Sequence, residues 1–599
     1  METKAQNDVT GGVFLLSKTN PAQVFTPEDF NEEQQLMKAS VIEFIDREVW
    51  PYKERFEKKD YAFTEALMKK AGELGFLSIP VPENYGGMGM GFVSTMLVCD
   101  YMSGSSGSLS TAFGAHTGIG ILPILLYGSE TQKQTYLPKL ASGEWFASYC
   151  LTEPGAGSDA NSGKTKAVLS EDGTHYKITG QKMWISNAGF ANLFIVFARI
   201  EDDKNITGFL VPFEENNGIE LGEEEHKLGI HASSTRQVFF NQTKVPVENV
   251  LGTRNGGFKI AMNALNVGRI KLGVACLDAQ RRITTKAIQY ANERIQFKKP
   301  ISSFGAIQEK IAQMATSCYV GESSCYRAAH AIELRIQQFI DQGYAPQEAE
   351  LKGVEDFAIE CSLIKVAASE DIQNCADHGI QILGGMGFSA DTPMESAWRD
   401  ARIGRIYEGT NEINRMLAVG MLLKKGLKEE LELLPAVMQA AVQLGGARTA
   451  VATDNPLDQE AALIEHFKAL FLMVMGNATQ KYGTQLEEEQ QVLLSLADVL
   501  IEIYFSESAL LRTQKNINRK GLETQEIQIA MVQHYIFEAH ELVSKKLKEV
   551  ILHLAQNEAE RTQMMDALEK HNAYTVYPDL FDLKTKIATH LIKENSYCF

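Results

Sequence analysis

Leu193-Phe194-Ile195-Val196-Phe197-Ala198-Arg199-Ile200 interrupts a chain that otherwise reads mostly as helix. The run is short, apolar and rich in β-branched and aromatic side chains, a composition that suits a buried strand better than a helix. Tyr176 and Ile178 before it, and Gly208 to Phe213 and Val238 to Phe240 after it, repeat the pattern between Gly and Asn turns. Residues 149–256 are therefore expected to form a middle β domain, barrel-like or a sandwich.

Working outward, Asn31 followed by Glu32, Glu33 and Gln34 has the capping pattern of a helix start, and Met37, Val41, Ile45 and Val49 then recur at helical spacing. This gives a polar arm over residues 1–30 and a helical domain over 31–148. From Gly257 to about 425 long helical patterns return, expected as a four-helix bundle. They are broken by Leu383-Gly384-Gly385-Met386-Gly387 and by an arginine-rich loop around Tyr407. Residues 426–599 read as an additional helical domain in which Val532, Ile536, Ala539, Val543, Leu547, Val550 and Leu554 make one packing stripe. Residues 445–456 read as a loop. The fold class is mainly α with a middle β domain.

A chain of 599 residues is too long for one core. Its formal net charge of -18 argues against nucleic acid as a partner, so any site for a phosphate group must be built locally. Eight cysteines without a CxxC pair suggest no metal site and fit a reducing compartment. The first thirty residues carry neither a secretory signal nor a mitochondrial presequence, so a bacterial cytoplasm is the expected location. No membrane-spanning stretch is expected. Leu431, Leu433, Leu434, Val437 and Met438 beside Lys424, Lys425 and Lys428 leave peripheral lipid contact open, but Glu429, Glu430 and Glu432 offset the lysines and disfavour it.

Four segments carry chemistry. Tyr149-Cys150-Leu151-Thr152-Glu153-Pro154-Gly155-Ala156-Gly157-Ser158-Asp159 offers backbone N–H groups and small hydroxyls at a glycine turn, a surface that suits close approach to a ring or phosphate. Taken alone it is a strand-to-loop turn. In Lys182-Met183-Trp184-Ile185-Ser186-Asn187, strand alternation puts Trp184 and Ser186 on one side. The third segment runs from Gln381 to Gly387. The fourth, Arg405-Ile406-Tyr407-Glu408-Gly409-Thr410-Asn411-Glu412, contains a loop carboxylate that would ordinarily be solvated.

Together these segments resemble the acyl-CoA dehydrogenase family over nearly the whole chain, and the region after about residue 425 resembles its very-long-chain branch. The resemblance implies FAD as cofactor, a fatty acyl-CoA as substrate and Glu408 as the base that removes the α-proton. Gly268 stands where some branches carry that base. The resemblance also implies that Tyr149, Leu151, Thr152, Gly157, Ser158, Trp184, Ile185 and Ser186 line the flavin and its pyrophosphate. Arg294 and Gln296, in Tyr290-Ala291-Asn292-Glu293-Arg294-Ile295-Gln296-Phe297, would reach the FAD of a neighbouring subunit. Gln381, Gly384 and Gly385 would meet the adenosine half across a homodimer interface, and Thr410 and Glu412 stand at cofactor-contacting positions.

For the substrate, the implied contacts are Ser158, Asn266, Arg269, Tyr407 and Gly409, with Arg269 suited to the adenosine-phosphate end of CoA. The Glu408 N–H and a ribityl hydroxyl would polarise the thioester carbonyl while the β-hydrogen leaves for flavin N5, giving a trans-2-enoyl-CoA as in the first step of β-oxidation. Electrons would pass to electron-transferring flavoprotein. Gly114, Ala115 and Gly118, on the helix resembling the floor of the acyl tunnel, leave volume for a long chain. An oxygen-reducing acyl-CoA oxidase and a non-catalytic assembly scaffold are the alternatives.

Overall fold

Asn31 accepts the Gln34 N–H at 2.8 Å and Gln34 accepts the Asn31 N–H at 3.1 Å, so the expected capping box starts α1, Glu32–Phe44. The computed structural model describes residues 9–104, 106–446, 448 and 455–599. Val41, Ile45 and Val49 are fully buried, as their spacing implies. Helix α2, Phe92–Met102, is buried along its whole length. Helix α3, Gly107–Gly114, passes into a π-helical turn over Ala115–Gly120, an irregularity that often marks a functional site.

The β domain contains β1 (Ala147–Cys150), β2 (Lys166–Leu169), β3 (His175–Ser186), β4 (Leu193–Ile200), β5 (Thr207–Pro212), β6 (Ile219–Glu224), β7 (Thr235–Pro246) and β8 (Val250–Leu251). They run in the order β6-β7-β3-β2-β4-β5-β8, with β1 added beside β4. Strand β4 is the pivot, because its start pairs in parallel with β1 and its end with β2. Its side chains alternate between two cores: Phe194, Val196 and Ala198 face the interior of the sheet domain, whereas Leu193, Ile195 and Phe197 join the core of the helices. Burial on both faces explains why this strand reads as an unbroken apolar run.

Helices α4 (Gly257–Ala275) and α5 (Leu277–Glu293) follow one another across Cys276, and α6 (Gly305–Asp341), α7 (Ala358–Leu383) and α8 (Asn411–Leu427) complete the bundle. Helix α7 packs on α4, α5, α6 and α8 and is its centre. The extension adds α9 (Leu433–Gly445), α10 (Asp458–Tyr482), α11 (Gln490–Lys520), α12 (Glu526–Leu554), α13 (Glu558–His571) and α14 (Leu580–Glu594). The stripe from Val532 to Leu554 is buried as expected. Helix α9 keeps Leu434, Met438 and Val442 exposed. Of the expected loop at 445–456, residues 447 and 449–454 lie outside the described residues.

Two expectations need correction. The described part of the N-terminal arm is docked: Phe14 and Leu15 are buried, the Gly12 N–H donates to Glu360 at 2.7 Å, and Arg512 and Lys515 of α11 bind Glu28 and Asp29 at 2.8 and 2.6 Å. A polar composition hid two apolar anchors. Three helical stretches, Gly107–Tyr127, Gly257–Glu293 and Asp458–Glu488, are long and apolar enough by composition to cross a membrane. However, 83%, 78% and 67% of their most apolar windows are buried within the protein, so their apolarity is used in packing.

Candidate active site

Glu408 sits in the loop between a 3-10 turn at Arg402–Arg405 and the start of α8, with φ 58 there and φ 81 at Gly409. A glutamate in the left-handed region costs on the order of 1–3 kcal/mol and persists only where its surroundings hold it. Here Lys365 of α7 donates to the Gly409 carbonyl at 2.7 Å and to Asn411 at 2.8 Å. The Asn414 amide donates to the carbonyls of Gly409 and Thr410 at 2.8 and 3.0 Å, and the Thr410 hydroxyl accepts the Ile413 N–H to cap α8. This latch fixes where the carboxylate points.

Its Oε2 is buried and has no hydrogen-bond partner among the described residues. A Cβ added at Gly268 would stand 2.4 Å from that oxygen, so glycine is what leaves room for the carboxylate against α4. Burial pushes the Glu408 carboxyl up to about 7, with Arg269 and then Lys365 opposing the rise. The uncovered side of Glu408 faces a cavity of about 230 Å³. Along α4 and α5 the lining positions are 268, 271, 272, 275, 276, 279, 282, 283 and 286, one helical face. The eighteen steps from 268 to 286 at the helical rise carry this wall over about 27 Å. The facing wall is made of small side chains from Ser103 to Ala115, including Gly104, Gly107 and Gly114. Tyr407 and Ser186 close the cavity near Glu408.

On the sheet side, the Met183 N–H donates to the Thr152 carbonyl at 3.0 Å, and buried Lys182 donates to the Leu151 carbonyl at 3.1 Å and to Glu153 at 2.6 Å. Glu153 in turn accepts the N–H groups of Lys164 and Thr165. The glycine turn after Thr152 is thus stapled to β3, while Gly155 and Gly157 face open space. Tyr149, Leu151 and Ile185 are buried, Thr152 is half-buried, and Gly157 and Ser158 are exposed. The Tyr149 hydroxyl is enclosed without a partner among the described residues.

Of Trp184, Ile185 and Ser186 only Ile185 is fully buried, the pattern that alternation gives. The pairing of β3 with β7 shifts register between Lys182 and Ile185, and Trp184 takes φ 60 and stays 53% exposed while Ser186 lines the cavity. One correction concerns Asn266 and Arg269, expected at the phosphate end of CoA. Both are buried; Arg269 donates to Asn266 at 2.6 Å and stands close enough to Glu408 to hold its carboxyl down. Arg269 lies near Cys361 of α7, the helix on which α4 packs.

A separate group lies outside the cavity. Arg294 and Gln296 are exposed on a hairpin whose turn residues Phe297 and Lys298 take φ 50 and 67, with Phe297 87% exposed. Gln381, Gly384 and Gly385 are exposed at the end of α7 near exposed Phe388, and Glu412 is exposed on the first turn of α8. Lys365, Asn414 and the Lys182–Glu153 pair went unnoticed in the sequence. The signal for Lys365 was a lone lysine inside the apolar run Leu363-Ile364-Lys365-Val366-Ala367.

The candidate site thus combines a carboxylate on a left-handed backbone, its Oε2 buried and unpartnered among the described residues, an elongated cavity that it lines, and an exposed tryptophan in a strand bulge. Family models for the acyl-CoA dehydrogenase N-terminal, middle and C-terminal domains match residues 31–144, 148–243 and 255–422, and a further acyl-CoA dehydrogenase C-terminal model matches 466–570. A probable acyl-CoA dehydrogenase of Bacillus subtilis is 41% identical over 570 residues, 95% of each chain. The human mitochondrial very long-chain specific acyl-CoA dehydrogenase is 35% identical over 533 residues, 83% of this chain and 77% of that one. The crystal structure of an acyl-CoA dehydrogenase complexed with FAD from Bacillus anthracis superposes with a TM-score of 0.96 at 40% identity, covering 99% of this chain and all of that one. The chain belongs to the acyl-CoA dehydrogenase family.

Proposed function

We propose that this enzyme uses FAD to oxidise the Cα–Cβ bond of long-chain fatty acyl-CoA to the trans-2-enoyl-CoA, the first step of fatty acid β-oxidation. The observation that carries the reading is the buried Glu408 carboxylate, free of hydrogen bonds at Oε2 and facing the cavity. The α-hydrogen of a thioester is a weak acid, so the base must be poised near the working pH and kept from water. A carboxyl pushed up to about 7 supports the first condition, and the burial of Glu408 Oε2 supports the second. The length of the cavity supports a long acyl chain.

The residues present fit FAD. Exposed Trp184 offers a stacking plane, Gly155 and Gly157 leave room for close approach, and the Tyr149 hydroxyl lacks a partner. Leu151, Thr152, Ser158, Ile185 and Ser186 complete the flavin-side surface. When bound, FAD supplies the acceptor for the β-hydrogen as hydride. Glu408 takes the α-proton through Oε2, its backbone N–H supports the thioester oxygen, and Tyr407 and Gly409 position the thioester. Lys365 and Asn414 keep the carboxylate aimed during the transfer.

Arg294, Gln296, Gln381, Gly384 and Gly385 are assigned to the FAD of a second subunit, with Thr410 and Glu412 on the cofactor side of the loop. Their exposure beside Phe297 and Phe388 supports a homodimer. Electron-transferring flavoprotein is the proposed acceptor, and a bacterial cytoplasm the proposed location, in keeping with the Bacillus relatives. Division at residues 30, 148, 256 and 425 is the proposed domain organisation.

The test is anaerobic titration of FAD-loaded protein with palmitoyl-CoA. Wild type should bleach its flavin; Glu408→Gln should keep FAD and stay unbleached, and normal bleaching in that variant overturns the assignment. Equal turnover with oxygen and with an artificial acceptor would favour the oxidase, and no bleaching in wild type would favour the scaffold.

A further inference from the structure

At the end farthest from Glu408 the cavity changes character. Where α5 brings positions 282, 283 and 286 to it, the lining includes Trp50, Lys53, Glu57, Arg282 and Lys286, and of these Glu57 and Lys286 are exposed to solvent. The cavity therefore opens to the surface there, away from the base. The chain that frames this mouth is irregular, since α1 runs into a π-helical turn at Ile45–Val49 and a 3-10 turn at Trp50–Tyr52. The Lys53 ammonium and the Arg282 guanidinium stand 5.7 and 5.8 Å from the centroid of the Trp50 ring, so positive groups gather on a ring that lines the cavity.

The charges at this mouth do not balance. Arg282 is bound by Asp278 at 2.7 Å and Asp46 at 2.8 Å, and Glu57 by Arg399 at 2.7 Å and His231 at 3.2 Å. Glu54, the other carboxylate beside Lys53, pairs with Lys58 at 3.7 Å, and Asp400 accepts the Ile230 N–H. Among the described residues no carboxylate forms an ion pair with Lys53 or Lys286, and the Lys286 amine donates to the Gln289 side chain at 3.2 Å. Burial draws the Lys53 amine below the usual lysine range; Glu54 opposes the fall and the Lys286 charge adds to it. Two like charges thus share one opening, an arrangement that an anion between them relieves. The methyl end of a plain chain would be better served by a closed apolar pocket.

Accepting the cavity as the acyl site, we propose that Lys53 and Lys286 form a subsite for a carboxylate at the ω end of the acyl chain, so that CoA monothioesters of long-chain dicarboxylic acids are preferred substrates. Helical rise puts positions 282 and 286 about 21 and 27 Å along α4 and α5 from Gly268, and an extended chain advances about 1.2 Å per bond, so the carboxylate meets the mouth roughly 17–22 bonds from the reacting carbons.

The experiment compares kcat/KM for saturated acyl-CoA thioesters across that range of lengths with the matching ω-carboxyl thioesters, at low and high salt, using FAD-loaded wild type, Lys286→Glu and the double variant Lys53→Gln with Lys286→Gln. In wild type one chain length should favour its ω-carboxyl form about tenfold, the sum of two partly exposed ion pairs, and the preference should shrink with salt. The double variant should erase it and Lys286→Glu should invert it. No preference at any length, a preference that survives the double variant, or an equal loss on plain and ω-carboxyl thioesters, which would place the phosphates of CoA at this mouth, overturns the subsite. Should a variant fail to fold, the wild-type series with its salt dependence decides alone. Failure of every thioester to bleach the flavin would instead strike at the dehydrogenase reading.

Discussion

Glu408 and Glu322 are both glutamates enclosed by helices, and the protein treats them in opposite ways. Glu322 of α6 is 2% exposed and accepts from Arg281 at 2.8 Å and from Arg512 and the Tyr597 hydroxyl at 3.0 Å. Through Arg512 the same cluster reaches Glu28 of the N-terminal arm, so it ties arm, bundle, extension and C-terminus together. Glu408 has a free oxygen and a left-handed backbone. A buried carboxylate with both oxygens engaged is a joint; one left short and held in strain is suited to be a reagent.

The sharpest way to break this contrast is to remove each negative charge and measure stability. Glu322→Leu leaves two buried guanidiniums short of a partner and should cost about 3–5 kcal/mol in urea or thermal unfolding. Glu408→Gln should cost nothing at pH 8 and can stabilise. The sign follows from its raised pKa: the folded state favours the protonated form, so the stability contributed by that proton is present below pH 4.5 and lost as pH rises through about 7, and a glutamine escapes that loss. Equal damage from both changes would erase the distinction.

Relocating the reagent is the next test. Gly268→Glu alone should abolish flavin bleaching, since its Cβ collides with the Glu408 carboxylate. Combining it with Glu408→Gly clears that space, and measurable turnover should return with the base delivered from α4. A folded, FAD-loaded double variant without activity would mean that the latch on the 408 loop, and not the carboxylate alone, is required.

Lys365→Met should have a smaller effect, read in the pH profile of the reductive half-reaction. Wild-type bleaching should rise with pH around 7 as Glu408 ionises; removing a positive charge that favours the anion should move that rise to higher pH. Loss of rate with an unmoved profile would make Lys365 purely a loop anchor. Smallest of all, Arg294→Ala should weaken FAD retention and lower the melting temperature by a few degrees, since cofactor stabilises only the folded state that binds it. Unchanged FAD content and melting after dialysis would remove Arg294 from the cofactor site.

Local patterns were readable without coordinates. The capping box at Asn31, the stripe from Val532 to Leu554, the apolar run of β4 and the Tyr407-Glu408-Gly409 loop are each contained in a few consecutive turns or residues, where propensity and period act directly. The environment of those residues was not readable. Trp184 sits in a bulge of β3 with a left-handed backbone because of how that strand registers on β7, some fifty residues away. Arg269 is a binding-surface candidate by sequence and a buried neighbour of the base in the fold, because α7 closes over α4. Lys365 and Lys271 look like ordinary helix lysines until packing strips their water. Thus the sequence by itself determined the helical and strand segments and singled out the loop glutamate proposed as the base. Only tertiary structure decided which charged groups are deprived of water and partners, since desolvation depends on elements far apart in the chain coming together.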